Sequence, residues 1–314
     1  MTHVLLNALV PIFAVMGLGY FAGWIRDVDN HHVAELNALV MDFAVPAALF
    51  VATASASRHV LLTQWPLVLA LVIPMLGVYA LSYWMGRRLF GLTPAPASVQ
   101  ALTVAFPNFA AAGLPLIAAV FAASQLIDVA LGLSLGAIIL SPLTLAVLET
   151  SKSAAAGEID RSTIVNAIGK SLLRPVVLAP IVGIAFSLVA IRLPDFVSHA
   201  FQLIGQASGG VALFLTGLIL SSQRLVLSRN VISSTLLKNI AQPLLALGLV
   251  MLLTMTHDTA RATLLLMALP SGFFGVLFGL RYGVESQEIG STLIVSSLFS
   301  VVTLTIALIF TATR

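Results

Sequence analysis

Two stretches, AFPNFAAAGLPL (105–116) and ALPS (268–271), place Asn108 directly after Pro107 and Ser271–Gly272 directly after Pro270. Proline inside a helix removes a backbone hydrogen bond and clashes with the preceding turn. Each stretch therefore predicts a break that frees backbone N–H and C=O groups beside a short polar side chain. Lys238, Asn239, Gln242, Asp42 and Gln206 are further polar residues set well inside apolar runs. Such a set suits anion binding, with amide and hydroxyl donors, half-helix N-termini and one ammonium. Hydrolysis fits poorly. GQASGG (205–210) offers Ser208 without the G-x-S-x-G spacing, His199 lies at the edge of its apolar run, and H-E-x-x-H is absent. No P-loop is present, so this chain alone is no ATP-driven pump. Cysteine is absent, which removes thiol nucleophiles and cysteine metal sites, and no cofactor motif occurs.

The elements that must position these residues are set by composition. Of 314 residues 59% are hydrophobic and 9% charged, against about 25% charged in soluble domains. That implies an all-α polytopic membrane protein in the lipid bilayer. A helix needs about 20 apolar residues to cross the hydrocarbon core, which gives ten expected spans: 4–24, 33–55, 62–85, 97–122, 125–148, 171–193, 197–222, 230–254, 259–281 and 288–312. The first run lacks a basic leader and is too long for a signal-peptide core, so it is expected to stay as a span. No basic block interleaved with aromatics is present, which argues against nucleic acid.

Alternate connections divide the Lys and Arg residues unequally. Arg26, Arg87, Arg88, Lys152, Arg161, Lys170, Arg174, Arg224, Arg229 and Arg281 fall on one side; Arg58, Arg192, Arg261 and Arg314 fall on the other. The positive-inside rule makes the first side cytoplasmic and puts both termini outside, as in a bacterial plasma (inner) membrane. The midpoint connection, residues 149–170, is then a cytoplasmic linker between five-helix units at 1–148 and 171–314.

The two units resemble each other. ALVPI (8–12) matches VLAPI (177–181), ALF (48–50) matches ALF (212–214), QWPLVLAL (64–71) matches AQPLLALG (241–248), and AFPN (105–108) matches ALPS (268–271). Five is odd, so two such units have opposite orientations: an inverted repeat. Pro107 lies about 15 Å along its span from the cytoplasmic side, and Pro270 a similar depth from outside. Both crossover breaks are expected near the midplane, where irregular backbone survives only inside protein or beside a wet cavity. Pro11, Pro46, Pro66, Pro74, Pro142, Pro180 and Pro243 are read as ordinary kinks.

Asn108, Ser271, Gly272, Lys238, Asn239 and Gln206 are the expected substrate-binding residues. Lys238 has a second reading, in which its amine snorkels to the interface. Asp42 is a proton-coupling carboxylate, a sodium ligand or the buried partner of Lys238, and Asn37 lines the same cavity. Glu35 and Asp128, at span entrances, are expected to be solvated. Gly17, Gly19 and Gly23, and the small residues of GQASGG, read as close helix packing, with Gln206 and Ser208 alternatively facing substrate. IVNAIGKSLLRP (164–175) reads as an amphipathic entry helix.

Ten helices in two inverted halves, with proline crossovers in the fourth and ninth, resemble the auxin efflux carrier (PIN-like) family. NHHVAELNALVMDFAVPAALFVATA (30–54) is similar to its bacterial malonate carrier branch. The resemblance implies a scaffold domain, a transport domain carrying the crossed helices, and movement of small carboxylates such as malonate, coupled to a proton or sodium. A channel or a membrane-embedded sensor is the alternative. Apolar outer helices are compatible with a homodimer.

Overall fold

A computed structural model of the chain describes residues 2–30, 33–121, 125–155, 169, 173–191, 193–222, 225–284 and 286–312. Among these the architecture is entirely helical, with one isolated backbone bridge. In chain order the helices are α1 (Thr2–Trp24), α2 (Ala34–Ala54), α3 (Arg58–Thr63), α4 (Trp65–Arg88), α5 (Pro94–Ala105), α6 (Phe109–Val120) and α7 (Leu126–Ala155). After the linker come α8 (Pro175–Leu188), α9 (Asp195–Ser221), α10 (Arg229–Leu252), α11 (His257–Met267), α12 (Phe274–Tyr282) and α13 (Gln287–Ala312).

Six of these, α2, α4, α7, α9, α10 and α13, are long and apolar enough to cross a membrane. Residues 10–24 of α1, α6 and α8 are shorter apolar helices. Two of the ten expected spans are each divided: 97–122 into α5 and α6, and 259–281 into α11 and α12. The linker's first residues, to Ala155, extend α7. Most of the expected entry helix at 164–175 lies outside the described residues, as do Arg161, Lys170, Arg192, Arg224 and Arg314.

Proline governs the local geometry in a way the kink reading misses. A π-helical turn ends two residues before a proline at three places: Leu39–Ala44 before Pro46, Phe109–Gly113 before Pro115, and Leu237–Ala241 before Pro243. A proline ring displaces the carbonyl one turn back and offers no N–H, and a turn widened by one residue absorbs both defects. Pro11, Pro74, Pro142 and Pro180 sit within continuous helices, as ordinary kinks would.

Helices pack in two groups. α1 lies along α9, and α2 along α8 and α9, while α4 to α7 and α10 to α13 pack among themselves. Glycines set the spacing in the first group. A Cβ at Gly19 would strike the Phe214 backbone, one at Gly217 the Met16 carbonyl, and one at Gly205 the Ala48 backbone. Gly23 abuts Ser221 in the same seam, whereas Gly17 faces open space and makes no such contact. Without a hydrophobic drive between helices in lipid, close approach of this kind supplies the dispersion contact that holds them.

Asn30 reaches Ser221, and Ser187 donates to the Ala56 carbonyl at the other end of the bundle. These contacts mark two faces. The linker face carries Arg87, Arg88, Glu149, Arg174 and Tyr282; the distal face carries Arg58 and the α8–α9 turn.

Candidate functional site

The two breaks meet each other. α5 enters from the linker face and α11 from the distal face, and their extended ends cross as an antiparallel bridge between Pro107 and Ser271. The Asn108 N–H donates to the Pro270 carbonyl at 3.0 Å, and the Gly272 N–H to the Phe106 carbonyl at 2.8 Å. A Cβ at Gly272 would collide with the Phe106 carbonyl, so only glycine permits this approach.

Helix ends sealed from water must find partners for their orphan groups, and the remaining ones are found in side chains. Asn108 caps α6, its side chain accepting from the Ala111 N–H at 3.3 Å. Gln242 Nε2 donates to the Ala105 carbonyl at 2.7 Å, closing the end of α5. Lys238 Nζ donates to the Met267 carbonyl at 3.1 Å, closing the end of α11, and to Gln242 Oε1 at 2.6 Å. An ammonium also suits the negative end of a helix dipole. Ser271 N–H donates to Ser296 Oγ at 2.9 Å, and Ser296 in turn donates to Asn239 Oδ1 at 2.6 Å. Ser271 Oγ is buried with no hydrogen-bond partner.

Lys238 is therefore neither snorkelling nor paired with Asp42. It is fully buried behind the crossing, on the π turn of α10 that also carries Asn239. Asp42, on the π turn of α2, instead binds Arg281 of α12, Oδ1 to Nη1 at 2.8 Å, with side chains 24% and 37% exposed. Asn37 joins it by donating to the Leu277 carbonyl at 3.1 Å. Close by, Tyr282 donates to Glu149 Oε1 at 2.8 Å and receives a bond from Arg174 Nη2 at 3.0 Å. These contacts tie α2, α7 and α8 to α12 across the linker face.

On the distal side a vestibule of about 490 Å³ leads toward the crossing, walled by α1, α2, α6 and α9. Its walls are Pro11, Ile12, Val51 and Leu114 among others, with Gln202, Gln206 and Ser208 as polar groups. At its foot Asn108, Pro270, Thr216, Ser297 and Ser300 line a void of about 10 Å³, room for about one water. The crossing is closed in this conformation. Asn108, Ser271, Gly272, Lys238 and Asn239 thus lie together around it, while Gln206 stands above it and Asp42 at the far mouth.

Asp128 departs from expectation. At 1% exposure it is buried rather than solvated, its Oδ2 without a hydrogen-bond partner. Gly132 and Gly136 of α7 went unread in the sequence. A Cβ at either would run into the ring of Phe109 or Phe106, so these glycines seat the aromatic residues flanking the break. The G-x-x-x-G spacing in an apolar helix was the available signal.

A model of membrane transport proteins matches residues 4–308. The chain belongs to this auxin efflux carrier-like family. It is 29% identical over 298 residues to "Uncharacterized transporter YfdV" of Escherichia coli (strain K12), covering 94% of each chain. It is 26% identical over 303 residues to a "Putative malonate transporter" of Rhizobium meliloti (strain 1021), covering 95% of this chain and 92% of that one.

Proposed function

We propose that this membrane transporter is a secondary carrier for a small organic anion, malonate or a related dicarboxylate, working by alternating access. The crossing of the two broken helices carries this reading: polar backbone and side chains converge there, inside an otherwise apolar bundle. Substrate descends the distal vestibule past Gln206 and binds at the crossing beside Asn108 and Ser271–Gly272. Lys238 and Gln242 hold the crossing together and lend it positive potential, with Asn239 bracing it through Ser296. Asp42, released from Arg281, couples the opening of the linker face to the cycle.

The reading assigns ten spans in two inverted five-helix repeats, 1–148 and 171–314. It places the linker in the cytoplasm and both termini outside a bacterial inner membrane. The α1–α2–α8–α9 group serves as scaffold and, through its exposed apolar surface, as a homodimer interface. Support comes from the family, from the relative named for malonate, and from a route that is open on one face and tied shut on the other.

Radiolabelled malonate uptake into proteoliposomes under a proton gradient, a sodium gradient or neither tests it. Saturable uptake suppressed by excess unlabelled malonate is expected. Non-saturating flux without exchange identifies a channel instead, and binding without uptake identifies a sensor.

A further inference from the structure

The route described above contains no positive charge among its described lining residues. Gln202, Gln206 and Ser208 face the vestibule, and Asn108, Thr216, Ser297 and Ser300 face the void. All seven are neutral. Lys238, behind the crossing, lines neither space and directs its ammonium to Gln242 Oε1 and the Met267 carbonyl. Arg281 is held by Asp42 and Arg174 by Glu149 at the linker face, and Arg261 lies over the Phe121 ring.

Charge burial decides what such a route accepts. Each buried unit charge carries a Born cost of its own, so a dicarboxylate dianion, with two such charges and the repulsion between them, costs more than twice as much as a monoanion. Amide and hydroxyl donors offset one carboxylate by charge-assisted bonds. A second carboxylate finds no cation among the described residues lining the vestibule and the void. A protonated carboxyl has the opposite needs, for it donates a hydrogen bond, and the side-chain carbonyls of Gln206 and Asn108 accept one.

Resting on the carrier reading, we propose that the transported species bears a single negative charge, so that a dicarboxylic acid travels as its hydrogen anion. The proton then crosses on the substrate's own second carboxyl. One proton moves per dicarboxylate, and no side chain need titrate to move it. Among residues whose side chains are described, the charged or titratable ones on the elements walling the route are Tyr20 on α1, Glu35 and Asp42 on α2, Asp195 and His199 on α9, and Glu288 on α13. None of them lines the vestibule or the void.

The test uses the full-length protein in proteoliposomes at external pH values on both sides of malonate's second ionisation. Initial rates are measured for malonate and for monomethyl malonate, which is a monoanion at every pH used. The KM for total malonate is expected to rise about tenfold per pH unit above the second ionisation. The half-ester should compete with malonate and enter with a KM that does not change. The His199→Asn variant should show the same two profiles.

A KM for total malonate that stays flat with pH overturns the proposal. So does a half-ester whose uptake follows the same pH profile as malonate, since that assigns the proton to a side chain. Saturable malonate uptake without half-ester competition overturns it too, while leaving the carrier intact. If neither compound shows saturable uptake at any pH, the carrier reading falls and takes the proposal with it.

Discussion

The two faces of the molecule solve opposite problems. The linker face is bound by charge: Asp42 to Arg281 and Arg174 to Glu149 join helices of different packing groups, and Tyr282 adds a bond to Glu149 within one group. The distal face presents a vestibule of about 490 Å³ with apolar walls, two glutamines and a serine. Ion pairs between half-exposed side chains form and part at small net cost. They suit a closure that must open. A wide apolar mouth with sparse amides suits admission. On the proposed carrier reading the faces differ because one is shut and the other receives, with the crossing between them as the shared pivot.

Breaking the pivot should have the largest effect. Gly272→Val drives a side chain into the Phe106 carbonyl and should destabilise the protein by about 3 kcal/mol or more. Loss of uptake together with a lowered unfolding temperature in detergent would show it. Lys238→Met keeps the volume but leaves the Met267 carbonyl and Gln242 Oε1 unpaired, at about 1–3 kcal/mol each. Uptake should fall to background while the protein still reaches the membrane. Normal transport by this variant removes Lys238 from the pivot.

The contrast between faces is sharpened by freeing one of them. Asp42→Asn removes a pair worth about 0.2–1 kcal/mol at this exposure, a shift of up to about fivefold in the closed population. Cysteine accessibility at the linker face, reported by a Cys placed at Leu145, should rise by that factor. The exchanged pair Asp42→Arg with Arg281→Asp should restore protection. The smallest effect belongs to the vestibule. Gln206→Leu should raise the KM about three- to tenfold, through one lost hydrogen bond, with little change in maximal rate.

Much of this was readable from the chain. Pro107 and Pro270 announced both breaks, because proline's missing N–H acts through local geometry alone. The residues around them, Asn108, Ser271 and Gly272, followed from adjacency. What the sequence left open was pairing across space. Lys238 and Asp42 stood at similar depths, yet Arg281 took the aspartate, and the Gln242 side-chain oxygen and the Met267 carbonyl took the lysine. Depth along a helix says nothing of azimuth, so the partner could not be chosen. Gly132 and Gly136 illustrate the same limit, for a small residue shows its purpose only when the ring it receives is known. Asp128 was misjudged because closeness to a span's end was read as contact with water.

The void beneath the vestibule has a consequence for affinity. It has room for about one water, so on the proposed carrier reading a carboxylate enters only after the surrounding helices part. A measured dissociation constant then combines the intimate contacts with the work of widening, and is weaker than the contacts alone by the fraction of molecules already widened. Substitutions that relax the fit between Phe106 and Gly136 without touching the lining should therefore tighten binding. Selection for fast release, by the same reckoning, would favour keeping that chamber small.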